Sequence, residues 1–194
     1  GADGAGSYEN GEGLYPFDGT KSGNVGESFK YDQVSYVDYA EGIYVGYKWY
    51  ETADAQDYWD KYYNLHGRGY QAVVQYPFGY GLSYTTFDWK VVNAPGKREK
   101  ITADGSYKIT VEVTNTGERA GKEVVQLYVR DMISSVATPV RQLKAFEKVP
   151  VRAGEKVTVR LEVPFSELMF TNERMERVLE PGEFEVQVGS SSDR

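Results

Sequence analysis

At 194 residues the chain has room for one domain and an appendage, or for two small domains. A net charge of −7 argues against a polyanion such as nucleic acid as partner. The absence of cysteine removes disulfides, thiolate metal sites and thiol nucleophiles, and no apolar run approaches the ~20 residues of a membrane span.

Residues 1–28 are rich in Gly, Ser, Asn and acidic groups, with 8 Gly in the first 26 positions, and read as a linker or loop. They have neither the basic n-region nor the apolar h-region of a signal peptide, there is no initiator Met, and the chain reads as part of something longer. From Phe29 to Glu51 a Tyr-rich stretch follows, in which Ile43, Tyr44, Val45, Tyr47, Trp49 and Tyr50 suit either a half-buried strand or a short helix. Thr52 to Val74 mixes Asp, Tyr and Gly around Trp59, Tyr62 and Tyr63, and is expected to be an exposed loop carrying aromatics.

From Ser83 onward the pattern alternates with period two, as a sheet with one buried face requires. Phe87, Trp89 and Val91 share one face, as do Tyr107, Ile109, Val111 and Val113. Val125, Leu127 and Val129, then Val157, Val159, Leu161 and Val163, and finally Phe184, Val186 and Val188 repeat the arrangement. Turns are expected at Asn115-Thr116-Gly117, Ala153-Gly154 and Pro181-Gly182, where glycine supplies a positive φ. In Arg141–Val149 strict alternation fails, because Leu143 and Phe146 cannot share a face, so a bulge or a strand crossing between sheets is expected. Strands this closely spaced over ~110 residues, with no long helical pattern, predict an antiparallel β-sandwich of immunoglobulin or fibronectin type III-like architecture.

The stretch YPFGYGLSYTTF at 76–87, with EGIYVGYKWYE at 41–51, VTNTGERAGKEVVQLYV from Val113, PVRQLKAFEKV from Pro139 and LEPGEFEVQVG from Leu179, resembles glycoside hydrolase family 3 of the β-glucosidase type. The resemblance covers about Val34 to Gly189. Together with the composition of 1–28 and the period-two strands it gives three segments: a linker or loop at 1–28, the irregular, incomplete end of an α/β sandwich domain with an insertion loop at 29–82, and a fibronectin type III-like β-sandwich at 83–194. Members of this family hydrolyse terminal β-linked sugars by a retaining two-carboxylate mechanism. The family's nucleophilic Asp lies on a (β/α)8 barrel and its acid/base Glu in the earlier part of the α/β sandwich, and neither segment is recognisable here. The resemblance therefore implies a non-catalytic part whose partners are the barrel and α/β sandwich domains of the parent enzyme and, through them, a β-linked oligosaccharide or glucoside. A homo-oligomer is left open.

No catalytic residue is expected within the chain, although Asp38, Glu41 and Glu51 lie close in sequence and a retaining pair needs only two carboxyls. Trp59, Tyr62 and Tyr63 are the candidate substrate-binding residues, since aromatic faces stack on sugar C–H surfaces. The alternative for these three is packing of the insertion on its own domain or a neighbouring subunit. Tyr76, Phe78 and Tyr80 are expected to wedge between two domains, with Gly79 and Gly81 allowing the backbone to turn. A lone histidine, His66, excludes His-based triads, and Asp54, Asp57 and Asp60 lack the spacing of a calcium loop, so neither metal nor cofactor is implied. A stand-alone carbohydrate-binding or adhesion module and a purely structural spacer are the competing readings.

Overall fold

The alternating segments become strands of two antiparallel sheets in the computed structural model, which describes residues 42–93, 102 and 104–193. The elements before them are short: α1 (Tyr47–Asp54), a 3-10 turn (Tyr58–Lys61), the hairpin β1 (Tyr63–Asn64) and β2 (Gly67–Arg68), and α2 (Tyr70–Val73). The strands of the sandwich are β3 (Phe87–Asn93), β4 (Ser106–Asn115), β5 (Gly121–Asp131), β6 (Gln142–Val151), β7 (Lys156–Pro164) and β10 (Phe184–Gly189). A small hairpin of β8 (Phe170–Thr171) and β9 (Arg177–Val178) follows a 3-10 turn at Phe165–Leu168. The chain divides into two compact units between Val73 and Val74.

One sheet of the sandwich has the order β3-β4-β7 and the other β10-β5-β6. Register places like with like: Val113 pairs with Val157, Val111 with Val159 and Ile109 with Leu161 in the first sheet, while Val129 pairs with Val186 and Leu127 with Val188 in the second. Of these, Ile109, Val111, Val113, Leu127, Val129, Val159 and Leu161 form one buried core with Val125, Val151 and Val163, and Val157 packs against it. Full burial of a Val or Leu stabilises by about 1.5–3 kcal/mol, so this aliphatic set is the main source of the sandwich's stability. Phe87, Trp89, Tyr107, Phe184, Val186 and Val188 pack against its margin.

The irregularity expected within 141–149 is a bulge. Leu127 pairs with Ala145 and Tyr128 with Leu143, which leaves Lys144 as the extra residue and turns Phe146 outward. The turn glycines act differently from expectation. Only Gly154 of the three has a positive φ, +71°. Gly117 is required by crowding, since a Cβ there would lie 2.2 Å from Thr85 Oγ1, while Gly182 meets neither condition closely.

Asn115, fully buried at the end of β4, uses all of its side-chain capacity. Its amide donates to the carbonyls of Arg119 (2.8 Å) and Val151 (3.0 Å), and its Oδ1 accepts from Thr85 Oγ1 (2.6 Å) and the Gly117 amide (3.0 Å). One side chain thus ties the β4–β5 turn, the end of β6 and the approach to β3, and its full satisfaction is what makes a buried amide tolerable.

Candidate functional site

The expectation of an exposed loop over Thr52–Val74 is corrected by the structure. Four consecutive residues of α1, Tyr50 to Ala53, are buried, and the helix closes with a tightening turn that ends on Asp57 in the left-handed region (φ 58°). Asp tolerates that region better than most side chains, and it redirects the chain into the 3-10 turn that carries Trp59. Trp59 is only 1% exposed and is the largest fully buried side chain among the described residues. Its indole Nε1 donates to the Tyr50 carbonyl at 2.9 Å.

Around Trp59 lies an aromatic cluster. The Tyr50 ring stacks on it at 5.6 Å, Tyr58 meets it edge-on at 4.9 Å, and Trp49 and Tyr62 approach at 6.2 and 5.6 Å. Edge and offset contacts of this kind add about 0.5–1.5 kcal/mol each beyond area burial. Lys61 Nζ lies 4.1 Å from the centre of the Tyr58 ring. The sequence signal for this arrangement was present in the density of Tyr and Trp, but a cluster centred on a turn has no period to reveal it.

The three candidate substrate-binding residues therefore occupy different environments. Trp59 is inside, Tyr62 is half-buried, and Tyr63 is 84% exposed at the base of the β1–β2 hairpin. The hairpin is braced: the Gly69 amide donates to the Tyr62 carbonyl (2.9 Å), Asn64 Nδ2 to the Ala72 carbonyl (2.7 Å) and Arg68 Nε to the Asp60 carbonyl (3.2 Å). Tyr63 is thus held out at the base of an ordered hairpin and the fully exposed Leu65 at its tip.

Of the carboxylates considered as an acid/base pair, Asp38 and Glu41 lie outside the described residues. Glu51 is buried and accepts a hydrogen bond from Tyr70 OH at 2.7 Å. Among the described residues no three His, Asp or Glu side chains gather as a metal site would require.

In the second unit, Tyr76, Phe78, Tyr80, Leu82 and Tyr84 are 45–92% exposed. Tyr76 and Tyr80 stack on each other with ring centres 5.3 Å apart. The backbone beneath them is fixed to the sandwich, since the Phe78 carbonyl accepts from the Ser192 amide at 2.8 Å and the Gly79 carbonyl from Gln126 Nε2 at 3.3 Å. Gly79 has φ +83°, whereas Gly81 is not left-handed and faces open space, so the tight turn rests on Gly79 alone.

Two half-buried carboxylates have raised pKa values. Burial pushes Glu123 up, opposed by a hydrogen bond from the Val124 backbone. Burial also raises Asp131, opposed by the Ile133 backbone and reinforced by the charge of Glu180. Both belong to the sandwich.

A two-sheet antiparallel sandwich with this patterning is a fibronectin type III-like domain, and residues 123–192 match the family model of that description. The chain is 44% identical over 119 residues to a periplasmic β-glucosidase of Salmonella typhimurium, covering 61% of this chain and 15% of the relative. It is 44% identical over 117 residues to a β-xylosidase of Formosa agariphila, covering 60% and 16%. The crystal structure of a Bifidobacterium adolescentis GH3 β-glucosidase superposes with a TM-score of 0.64 at 35% identity, over 81% of this chain and 20% of that one. In sequence and structure the chain resembles the fibronectin type III-like region of glycoside hydrolase family 3 β-glucosidases, together with the segment leading into it. It spans only about one-sixth of the length of the curated relatives it matches.

Proposed function

We propose that the chain is a non-catalytic, supporting part of a β-glucosidase-type enzyme that hydrolyses terminal β-linked sugars, and that Tyr76 to Tyr84 is the strip by which its sandwich docks on the parent's other domains. The observation that carries this reading is the contrast between backbone and side chains in that strip. The backbone of Phe78 and Gly79 is hydrogen-bonded to the sandwich, yet five large apolar side chains within nine residues remain exposed. Apolar groups held out on an ordered backbone mark an interaction surface. A chain covering about one-sixth of its relatives has the remaining domains of the parent polypeptide as the natural occupant.

The 52–75 insertion serves the same enzyme at its entrance. Tyr63 on the braced hairpin, with Tyr62 beside it, is the surface offered to a sugar or aglycone, and Trp59 packs against Tyr62 from within. The sugar is of the β-glucoside or β-xyloside class, as the relatives' names suggest. The test is hydrolysis of an aryl β-glucoside and an aryl β-xyloside by the purified chain, and then by the polypeptide completed with the missing domains. Turnover on completion only, with a lower thermal midpoint when Phe78 and Tyr80 are replaced by Ser in the completed enzyme, is the expected result. Turnover by the isolated chain would overturn the reading. In the completed enzyme Tyr63→Ala should raise KM with kcat little changed; an unaltered KM across aglycones would remove the entrance role.

A further inference from the structure

On the core-facing side of β5 lie Val125, Leu127 and Val129, while Gln126 and Tyr128 point the other way and are nonetheless buried, at 3% and 1% exposure. A buried amide must find partners for its donors and its acceptor. Gln126 Nε2 donates to the carbonyls of Gly79 (3.3 Å) and Ser190 (2.5 Å), and its Oε1 accepts from Tyr128 OH (2.6 Å). The orientation of the amide is dictated by chemistry, because two backbone carbonyls can only accept and so must face the NH2 group.

Gly79 and Ser190 belong to segments at opposite ends of the sandwich's sequence, and Gln126 bridges them. A second tie runs beside the first: the Ser192 amide donates to the Phe78 carbonyl at 2.8 Å, and Arg141 Nη1 donates to the Ser192 carbonyl. Ser191 and Ser192 are buried, and Ser191 Oγ donates to Asp193 Oδ1 at 2.7 Å. The fit is close enough to exclude any side chain at residue 79. A Cβ there would lie 2.2 Å from Gln126 Oε1 and 2.6 Å from Nε2, on a backbone already in the left-handed region.

We propose that Pro77–Gly81 and Ser190–Asp193 form a single latch closed by Gln126, and that this latch positions the exposed aromatic strip. Gln126 and Gly79 are then positioning residues, and the residues after β10 are required to order a segment that precedes β3. The proposal deepens the reading of that strip as a docking surface and rests on it only for the strip's purpose; the latch itself is tested with no docking partner present.

The experiment is residue-resolved amide exchange on the 194-residue chain, comparing the unaltered protein with Gln126→Leu and Gly79→Ala. Loss of the bridge should accelerate exchange of the Ser192 and Tyr80 amides by about tenfold or more, while amides of β4 change by less than about twofold. Gly79→Ala, which removes no hydrogen-bonding group, should reproduce the pattern through collision and strain alone. Unchanged exchange at Ser192 in both variants would overturn the latch. Equal acceleration at Ser192 and throughout β4 would also overturn it, by showing that Gln126 is an ordinary member of the sandwich core.

Discussion

The two units of this chain reach stability by different chemistry. The sandwich is built on aliphatic groups at alternate positions of paired strands, with one fully satisfied amide, Asn115, at a corner. The described residues of the unit that contains α1 and the β1–β2 hairpin pack as rings around a single indole. In the first, the core is spread over ten buried residues, so no single side chain dominates. In the second, Trp59 contacts four neighbouring rings and concentrates the packing in one place. A distributed core and a concentrated one should respond differently to substitution.

Trp59→Ala should therefore give the largest effect. Truncation of a buried Trp costs about 3–5 kcal/mol, which is comparable with the whole stability of a unit of that size. Near-ultraviolet circular dichroism should lose the part of the Trp signal that comes from this cluster while keeping that of Trp89, and the Gly69 and Tyr62 amides should lose protection, while the strands of the sandwich keep theirs. If affinity for a sugar fell with this protection intact, Trp59 would be a ligand contact instead of the centre of the unit.

The sandwich's counterpart is Asn115→Ala, which strands the Arg119 and Val151 carbonyls and the Thr85 hydroxyl. A buried group left without its partner, here the Val151 carbonyl, costs about 1–3 kcal/mol. Urea denaturation should show a lower midpoint with an unchanged slope. A midpoint that does not move would mean that water replaces the amide, and the corner would be less closed than its burial implies.

The same contrast explains what could be read from the sequence. Period two is a direct projection of sheet geometry onto the chain, so the faces of β4, β5, β7 and β10 could be assigned from residue order, and the failure of alternation at Leu143 and Phe146 located the bulge. The burial of Gln126 could not be read that way, because its partners Gly79 and Ser190 are distant in sequence. Trp59 was misplaced for a related reason. Aromatic residues among Asp and Gly look the same in an exposed loop as in a small cluster, and only the fold shows that Trp59 points inward while Tyr63 points out. The candidate residues were thus found as a group and separated only by the structure. The distinction between Gly79, which needs both its φ and its lack of a Cβ, and Gly81, which needs neither, was likewise invisible in the motif.

The smallest expected effects are those of ionisation, and they have opposite signs at two positions of the sandwich. Glu123 is held above the usual carboxylate value chiefly by burial. Its native form binds the proton more tightly than the unfolded chain does, so its contribution is complete below the unfolded pKa and is lost as pH rises through the raised native value. Glu162 lies on the solvent face of β7, where it accepts from Ser106 Oγ at 2.5 Å and pairs with Lys108 at 3.4 Å. The Ser106 hydrogen bond, followed by Lys108, lowers its pKa, so its contribution is present above the unfolded value and lost as pH falls through the lowered one. A carbon-detected titration of the side-chain carboxyls should show Glu123 titrating above Glu162 in the same sample. Glu123→Gln should remove the decline in urea midpoint on the alkaline side of the Glu123 transition. Glu162→Gln should leave the midpoint nearly unchanged at neutral pH, since exposed pairs are screened by water and salt. A reversal of the two titrations would mean that the sandwich end around Glu123 is open to solvent, and the difference between its dry interior and charged outer face would not extend to that edge.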